Sequence, residues 1–185
     1  MIRVVLFSLL FTSTPCYALL FDLNAFYFSD GLDSGTENTN NRMFLEFSGA
    51  IDLSKKGQII LGWAYTMLTY KAEGTATLEA STADTGPKIG WFLDKQRTWS
   101  ACFTYNLFAN TTFDDGSGEV RWRGKSYKAD FGYSGMFGES LALGMRINYY
   151  SASYSEQFDA SDTFSQISNS QGAIFPSLSM TYFLN

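Results

Sequence analysis

Apolar and polar residues alternate along this chain with a period of two. In RMFLEFSGAIDL (residues 42–53), Met43, Leu45 and Phe47 fall on one face, and Arg42 and Glu46 on the other. The segment QIILGWAYTMLTYKA (residues 58–72) repeats the pattern after the polar turn SKKG. Successive side chains of a β-strand point to opposite faces, and about ten tilted residues cross a bilayer. The two segments therefore predict a transmembrane β-hairpin.

The same alternation predicts eight strands in total. They cover residues 20–29, 42–53, 58–72, 87–93, 98–110, 127–137, 141–152 and 173–184. On the fifth strand the predicted outward set includes Leu107 and Ala109, and the inward set includes Phe108. With the outward set of the third strand running from Ile59 to Thr69, no predicted outward position carries Asp, Glu, Lys or Arg. An outward Lys or Arg at the midplane of a bilayer would cost about 2–4 kcal/mol, so this face suits lipid.

The predicted connections alternate in length. Short turns lie near Lys55, Lys95 and Glu139, and longer polar segments occupy residues 30–41, 73–86, 111–126 and 153–172. Within residues 111–126 we predict that strands five and six continue beyond the bilayer as a protruding hairpin, and weak alternation in residues 73–86 could extend the strands there. With an even number of strands, both chain ends lie beside the short turns. This sorting is typical of outer-membrane barrels. We therefore predict an all-β fold: an eight-stranded antiparallel up-and-down transmembrane β-barrel with short periplasmic turns and longer extracellular loops.

The first eighteen residues predict a secretory signal peptide. Arg3 supplies a positive charge, residues 4–11 are apolar, and small residues precede a cleavage site after Ala18. Cleavage leaves one domain, residues 19–185, which retains Cys102 but not Cys16. Without a second cysteine, an intramolecular disulfide is excluded from the exported chain.

Composition supports a membrane barrel. The chain is 17% aromatic and only 17% charged, where about 25% charged is usual for a soluble domain. No apolar run after residue 18 reaches the roughly 18 residues of a membrane helix. The net charge of −5 argues against nucleic acid as a partner.

With these features the chain resembles the small eight-stranded outer-membrane barrels of the OmpA/OmpX type. The alternating strands carry the resemblance, together with the last segment SLSMTYFLN (residues 177–185). That segment is similar to the signal read by the barrel-assembly machinery, although it ends in Asn rather than an aromatic residue. The resemblance implies a Gram-negative outer membrane, termini in the periplasm, and contact with that machinery during insertion. We also expect a monomer.

The inward face predicts a charged interior. Its ionisable residues balance by count: Asp22, Glu46, Asp52 and Asp130 against Arg42, Lys88, Lys128 and Arg146. An eight-stranded barrel has room only for side chains, and charges in so narrow a space must be paired or hydrated. We predict a lumen charge network of Glu46, Arg146, Asp130, Lys128, Arg42 and Asp22 that plugs the barrel. A gated path for protons or ions is the alternative.

A second candidate site is a row of three cations on the sixth strand. Arg121, Arg123 and Lys125 continue its outward face just beyond Tyr127. At the level of lipid head groups they could bind lipopolysaccharide phosphates through charge-assisted contacts. A solvated hairpin with ordinary charges is the alternative.

Enzymatic function is not expected. The chain has no histidine, so a serine or cysteine nucleophile lacks its usual base. Asp114 and Asp115 lie beside glycine in a predicted turn, and Cys102 is expected to pack inward. No cofactor is expected and no metal site is predicted.

The sequence thus favours a non-enzymatic outer-membrane barrel that serves as an anchor. Its extracellular loops would contact lipid, lipopolysaccharide or an unidentified extracellular partner, in envelope stabilisation or adhesion. One alternative is a narrow, porin-like channel or a conduit for small solutes or apolar molecules. A second is a soluble lipocalin-like binding barrel, in which the apolar face would line a cavity and Glu46 and Arg146 would face water.

Overall fold

Eight antiparallel strands close into a barrel in which each strand pairs with its neighbours in sequence and β1 pairs with β8. The computed structural model describes residues 19–33, 37–53, 58–73, 77–116 and 118–184, so the predicted signal peptide (residues 1–18) lies outside the described residues. The strands are β1 Leu19–Asp33, β2 Glu37–Asp52, β3 Ile59–Glu73, β4 Leu78–Phe92, β5 Trp99–Asp114, β6 Glu119–Phe137, β7 Leu141–Phe158 and β8 Phe164–Leu184.

The barrel has two ends. Leu19 and Leu184 pair at one end, which also carries the turns before β5 and β7; we call it the terminal end. The opposite end carries the turns before β6 and β8, and we call it the distal end. Within the described residues, no helix has the length and apolarity needed to cross a membrane.

The alternation predicted from the sequence separates the two sides of the wall. Apolar and aromatic side chains point outward and remain exposed, among them Trp63 at 50%, Ile147 at 65% and Leu178 at 67%. Polar and charged side chains point inward and are buried, among them Glu46 and Lys128. A soluble protein has the opposite arrangement, because burial of apolar surface drives its folding.

The strands extend further toward the distal end than the apolar pattern predicted. β4 begins at Leu78 rather than Pro87, and β8 begins at Phe164 rather than Ala173. The polar segments predicted as loops over residues 73–86 and 153–172 are therefore largely strand, with a turn left at residues 159–163. A strand surrounded by water needs no apolar face, and its backbone pairing can continue there. Hydrophobic alternation alone therefore could not locate the distal ends of β4 and β8.

A β-bulge in β5 overturns part of the predicted alternation. Asn106 pairs with Ser126 and Ala109 pairs with Gly124, so β5 has one residue more than β6 in between. The extra residue reverses the faces beyond it. Phe108, predicted inward, is 60% exposed, and Ala109, predicted outward, is fully buried.

Candidate functional site

Six charged side chains form a closed ring in the middle of the barrel interior. Around the ring, the order is Asp22, Lys88, Glu46, Lys128, Asp130 and Arg146, with Arg146 returning to Asp22. Acids and bases alternate, and each group contacts two of opposite sign. The six N···O distances lie between 2.7 and 3.2 Å. We call this set the charge ring.

Arg146 makes the most specific contact in the charge ring. Its two terminal nitrogens each lie 2.9 Å from a different oxygen of Asp22, which is the bidentate geometry that suits a guanidinium. Thr181 also donates to Asp22 at 2.7 Å. Space for the Arg146 stem comes from Gly132 on β6, where a Cβ would lie 2.5 Å from Arg146 Cγ. A glycine at this position is therefore part of the ring's construction.

The ring also binds neutral polar groups around it. Asn24 donates to both Asp22 and Glu46 at 3.1 Å, and Lys88 donates to Ser48 at 3.0 Å. Such additional hydrogen bonds offset the cost of removing charges from water. With three acids and three bases, the ring carries no net charge.

A second polar cluster lies distal to the charge ring and has a different character. Asp84 accepts hydrogen bonds from Ser126 and Tyr150 through the same oxygen. Its other carboxylate oxygen is buried with no hydrogen-bond partner among the described residues. No cation pairs with Asp84 within the described part of the chain, so this carboxylate lies outside the ring's charge balance.

The sequence pattern does not predict Asp84 as a site residue, because it predicts residues 73–86 as a loop. The feature of the sequence that indicates its position is the alternation of inward and outward residues along β4. Thr82, Asp84 and Gly86 continue the inward face that contains Lys88, and an extension of that alternation by two positions would have placed Asp84 inside.

Apolar layers cover the charge ring on both sides. The terminal layer consists of Leu20, Ala50, Ile60, Phe92, Ala142 and Phe183. The distal layer contains Phe44, Ala109, Tyr150, Ala152, Tyr154 and Phe175. The guanidinium of Arg97 stacks over Phe183 at 4.5 Å and contacts Asp52 at 3.3 Å. Tyr150 of the distal layer also donates to Asp84, so the second polar cluster adjoins this layer. The lumen is thus filled in three successive layers.

Arg42 does not join the charge ring, contrary to the predicted lumen network. It lies distal to Phe44 on β2 and is exposed, with its guanidinium 5.3 Å from the centre of the Tyr70 ring. Strand parity predicted its face correctly, but its height along the barrel places it beyond the distal layer. Arg42 instead lines a distal cavity of about 540 Å³.

Arg121, Arg123 and Lys125 are all exposed on the outward face of β6, near its distal end. Arg121 forms an ion pair with Asp162 in the turn before β8. Arg123 stacks over the Phe158 ring at 4.6 Å. Two of the three cations are therefore held by neighbouring elements.

The soluble lipocalin-like alternative does not fit this arrangement. It required Glu46 and Arg146 to face water, yet Glu46 is fully buried and Arg146 is 6% exposed. It also required the aromatic face to line a cavity, whereas Trp63, Phe131 and Tyr133 are exposed on the outside. The two faces are reversed relative to that hypothesis.

The chain is weakly similar to several solved structures, among them two proteins from Neisseria. The crystal structure of Neisserial surface protein A has a TM-score of 0.49 and 11% identity, over 90% of this chain and 95% of that one. The translocator domain of the autotransporter NalP from Neisseria meningitidis has a TM-score of 0.45 and 11% identity, over 97% of this chain and 67% of that one.

No protein-family model matches the chain, and no curated protein sequence matches it. The assignment as a closed antiparallel barrel rests on the strand pairing described above.

Proposed function

We propose that this chain is a non-enzymatic integral protein of the bacterial outer membrane, with its barrel as an anchor and its distal end as a contact surface. The observation that carries the proposal is the combination of an uncharged apolar outer wall with a filled interior that contains a charge-balanced ring. The wall supports membrane insertion, and the filled interior supports an anchor rather than a pore.

The outer wall matches what a bilayer requires. Along the described strands, outward positions carry no charged side chain between the terminal turns and Lys71, Glu79 and Lys125 near the distal end. On β2 and the residue that follows it, the uncharged outward positions run from Met43 to Leu53, about the length that a tilted strand needs. An apolar surface of this extent is far larger than soluble monomers expose.

The interior supports the anchor. A conducting barrel needs a continuous polar path, and here apolar layers lie on both sides of the charge ring. The ring itself is held by six ion pairs, five of which join different strands, and some of those strands are not neighbours. Both arrangements oppose the passage of ions along the barrel axis.

The distal end is the proposed surface for outside contacts. The extensions of β4 to β8 carry it beyond the apolar wall, and Arg121, Arg123 and Lys125 lie at its border. We propose that these cations contact lipopolysaccharide phosphates. Lys125 is the most available of the three, because Arg121 is paired with Asp162 and Arg123 stacks over Phe158. In this orientation the terminal end faces the periplasm, and the chain is inserted by the barrel-assembly machinery.

Two measurements test the proposal. Outer-membrane extract run on a gel with and without boiling should give two mobilities, because a folded barrel resists detergent. Planar-bilayer recordings should give no stable single-channel current. Recovery of the protein in the soluble fraction with one mobility would refute membrane insertion, and a sizeable current would refute the filled anchor.

A conduit for apolar molecules is the second candidate, and one observation favours it. The distal cavity is lined largely by apolar side chains, including Phe26 of β1 and Phe175 of β8, and these two strands are unpaired at that level. Its floor is the distal layer, so it does not continue through the barrel.

A further inference from the structure

The barrel wall is incompletely paired between β1 and β8. These strands pair only over Leu19–Ala25 and Leu178–Leu184. Beyond Ala25, β1 continues against β2 as far as Asp33, and β8 pairs with β7 from Phe164 onward. The distal halves of β1 and β8 therefore face each other without a ladder of hydrogen bonds, and we call this gap the seam.

Pro176 accounts for the place where the seam begins. The amide of Phe183 donates to Ser140, on the β7 side of β8. Because backbone groups alternate in direction along a strand, the nitrogen of Pro176 points the other way, toward β1. Proline has no N–H to donate, and Pro176 is the position two residues beyond the last pair, Ala25 with Leu178.

The distal cavity lies directly behind the seam. Inward-facing Phe26, Phe44, Leu68 and Phe175 line it, together with Ile174 and Pro176 from the outward face of β8. Residues from both faces of the wall thus share one cavity. Ile174 and Pro176 also belong to the surface that the proposed function places against lipid, so the seam is where a hydrocarbon chain could pass between lipid and cavity.

The cavity is closed on the side of the charge ring. The Phe44 and Phe175 rings lie 4.7 Å apart, and Phe26 stacks on Phe175 at 5.8 Å. Beneath them the Lys128 ammonium contacts the Phe44 ring at 5.6 Å. An occupant therefore stays on the distal side of the Phe44 and Phe175 rings. The volume of about 540 Å³ lies within the usual range for small-molecule sites, roughly 300–1,000 Å³.

The distal mouth of the cavity carries a positive charge. Arg42 and Tyr70 line the cavity from β2 and β3, where they pair across the strands, and the guanidinium stacks over the Tyr70 ring. Gln171 adds a polar side chain from β8. An apolar cleft with one cation and a few hydrogen-bonding groups at its mouth complements a molecule with one chain and an anionic head.

We propose that the seam cavity binds a long-chain fatty acid, with its hydrocarbon chain between β1 and β8 against Phe26 and Phe175, and its carboxylate at Arg42. The proposal rests on the membrane location given under the proposed function. The ligand would enter from the distal end or sideways through the seam, and it would not cross the barrel.

Paramagnetic broadening by 16-doxyl-stearate tests the proposal with the full exported chain in phosphatidylcholine nanodiscs. Backbone amides of Phe26, Phe44 and Phe175 should broaden more than those of Phe103 and Tyr127 on the opposite wall. The effect should saturate near one probe per protein, and palmitate should reverse it. Equal broadening around the whole wall would mean that the probe only partitions into lipid, and would overturn the proposal.

Two variants test separately the contacts of the ligand's hydrocarbon chain and those of its carboxylate. Ala173→Trp fills the cavity and should reduce the seam broadening to the level of the opposite wall, whereas Ala101→Trp, on the lipid-facing side of β5, should not. Arg42→Gln should raise the half-saturating concentration of the probe about tenfold through loss of a charge-assisted contact. Lys95→Gln, which removes an exposed cation from the turn before β5, is its control. The methyl ester of the probe should bind wild type and Arg42→Gln alike.

The outcomes remain distinct from those of the proposed function. Insertion is scored first by the boiling-dependent gel shift. A chain that does not insert refutes the membrane location itself. Equal binding of the probe by wild type and Arg42→Gln, in chains that insert, refutes recognition of the carboxylate. If the amide signals at the seam change with protein concentration in the absence of the probe, two copies of the protein pair there. That result would also overturn the fatty-acid site.

Discussion

At the residue scale, the stability of the interior depends on whether each buried charge has a good partner, rather than on the number of charges. Removal of a single charge from water is expensive, and its attraction to a partner offsets the cost only when geometry and hydrogen bonds are good. Asp22 meets these conditions through Arg146, Lys88 and Thr181. Asp84 does not, because its described partners are two hydroxyl groups.

The same substitution at these two acids should therefore have opposite effects. Asp22→Asn leaves Arg146 and Lys88 facing each other without a carboxylate, and should destabilise the barrel by about 3–5 kcal/mol. Asp84→Asn keeps an oxygen to accept from Ser126 and Tyr150, and should be neutral or stabilising by about 1 kcal/mol. Urea midpoints of the refolded proteins in lipid vesicles measure both. Equal losses at the two positions would show that the charge ring has no special energetic role.

Strand alternation could predict the inward face of each ring member but not the ring itself. Parity assigns Asp22, Glu46 and Arg146 to the interior from sequence alone. Their heights depend on how the strands are staggered around the closed barrel, and local alternation does not record that stagger. Arg42 illustrates the limit: its face was predicted correctly, yet it lies beyond the distal layer and contacts Tyr70.

At the element scale, the departures from the predicted strands have local causes. The bulge in β5 reverses the faces of Phe108 and Ala109. Because apolar residues occupy both faces of the strand there, the sequence pattern does not reveal the single extra residue. The polar starts of β4 and β8 are strands because pairing with a neighbour satisfies their backbones. Pro176, by contrast, is visible in the sequence, but its effect on the β1–β8 ladder can be recognised only from the register of the two strands.

Pro176→Ala tests the cause of the seam. The new amide would point toward β1 and could extend the β1–β8 ladder beyond Ala25 and Leu178. One added hydrogen bond should stabilise the barrel by about 0.5–1.5 kcal/mol. In the variant, hydrogen exchange should be slow at the newly introduced amide and should slow in β1 beyond Ala25, and it should be unchanged in β5. Unaltered exchange in β1 would mean that something other than the proline keeps the seam open.

The turn before β8 should respond to acid. Asp159 accepts hydrogen bonds from the backbone N–H of Thr163 and from Ser161, each at 2.9 Å. The Thr163 contact, followed by those from Ser161, holds the pKa of this exposed carboxyl below its usual value. A lowered pKa means that its stabilising contribution is present above the unfolded value of about 3.9 and is lost as pH falls through the folded value.

The amide resonance of Thr163 reports this titration directly. It should shift upfield in a single step below about pH 3.9, as the carboxylate is protonated and the hydrogen bond weakens. Asp159→Asn should abolish the step, whereas the control Asp162→Asn, which removes the ion pair with Arg121, should leave it in place. A step that persists in the Asp159→Asn variant would assign the transition to another group.

At the scale of the whole molecule, the barrel is closed at three independent levels. The terminal layer, the charge ring and the distal layer each fill the cross-section with side chains from several strands. An eight-stranded barrel has little interior to spare, so a change at one level leaves the other two in place. The seam lies outside this stack, because its cavity ends on the distal layer.

Loss of one apolar layer should therefore not produce a channel. Phe92→Ala with Phe183→Ala thins the terminal layer, and Phe44→Ala with Phe175→Ala thins the distal layer. Each Phe→Ala change should cost about 3–5 kcal/mol, so folding is first checked by the boiling-dependent gel shift. Folded variants in planar bilayers should match wild type, with no stable single-channel steps, because the charge ring still blocks the path. Steps in the terminal-layer variant alone would identify that layer as the sole seal, and steps in both would show that the charge ring admits ions.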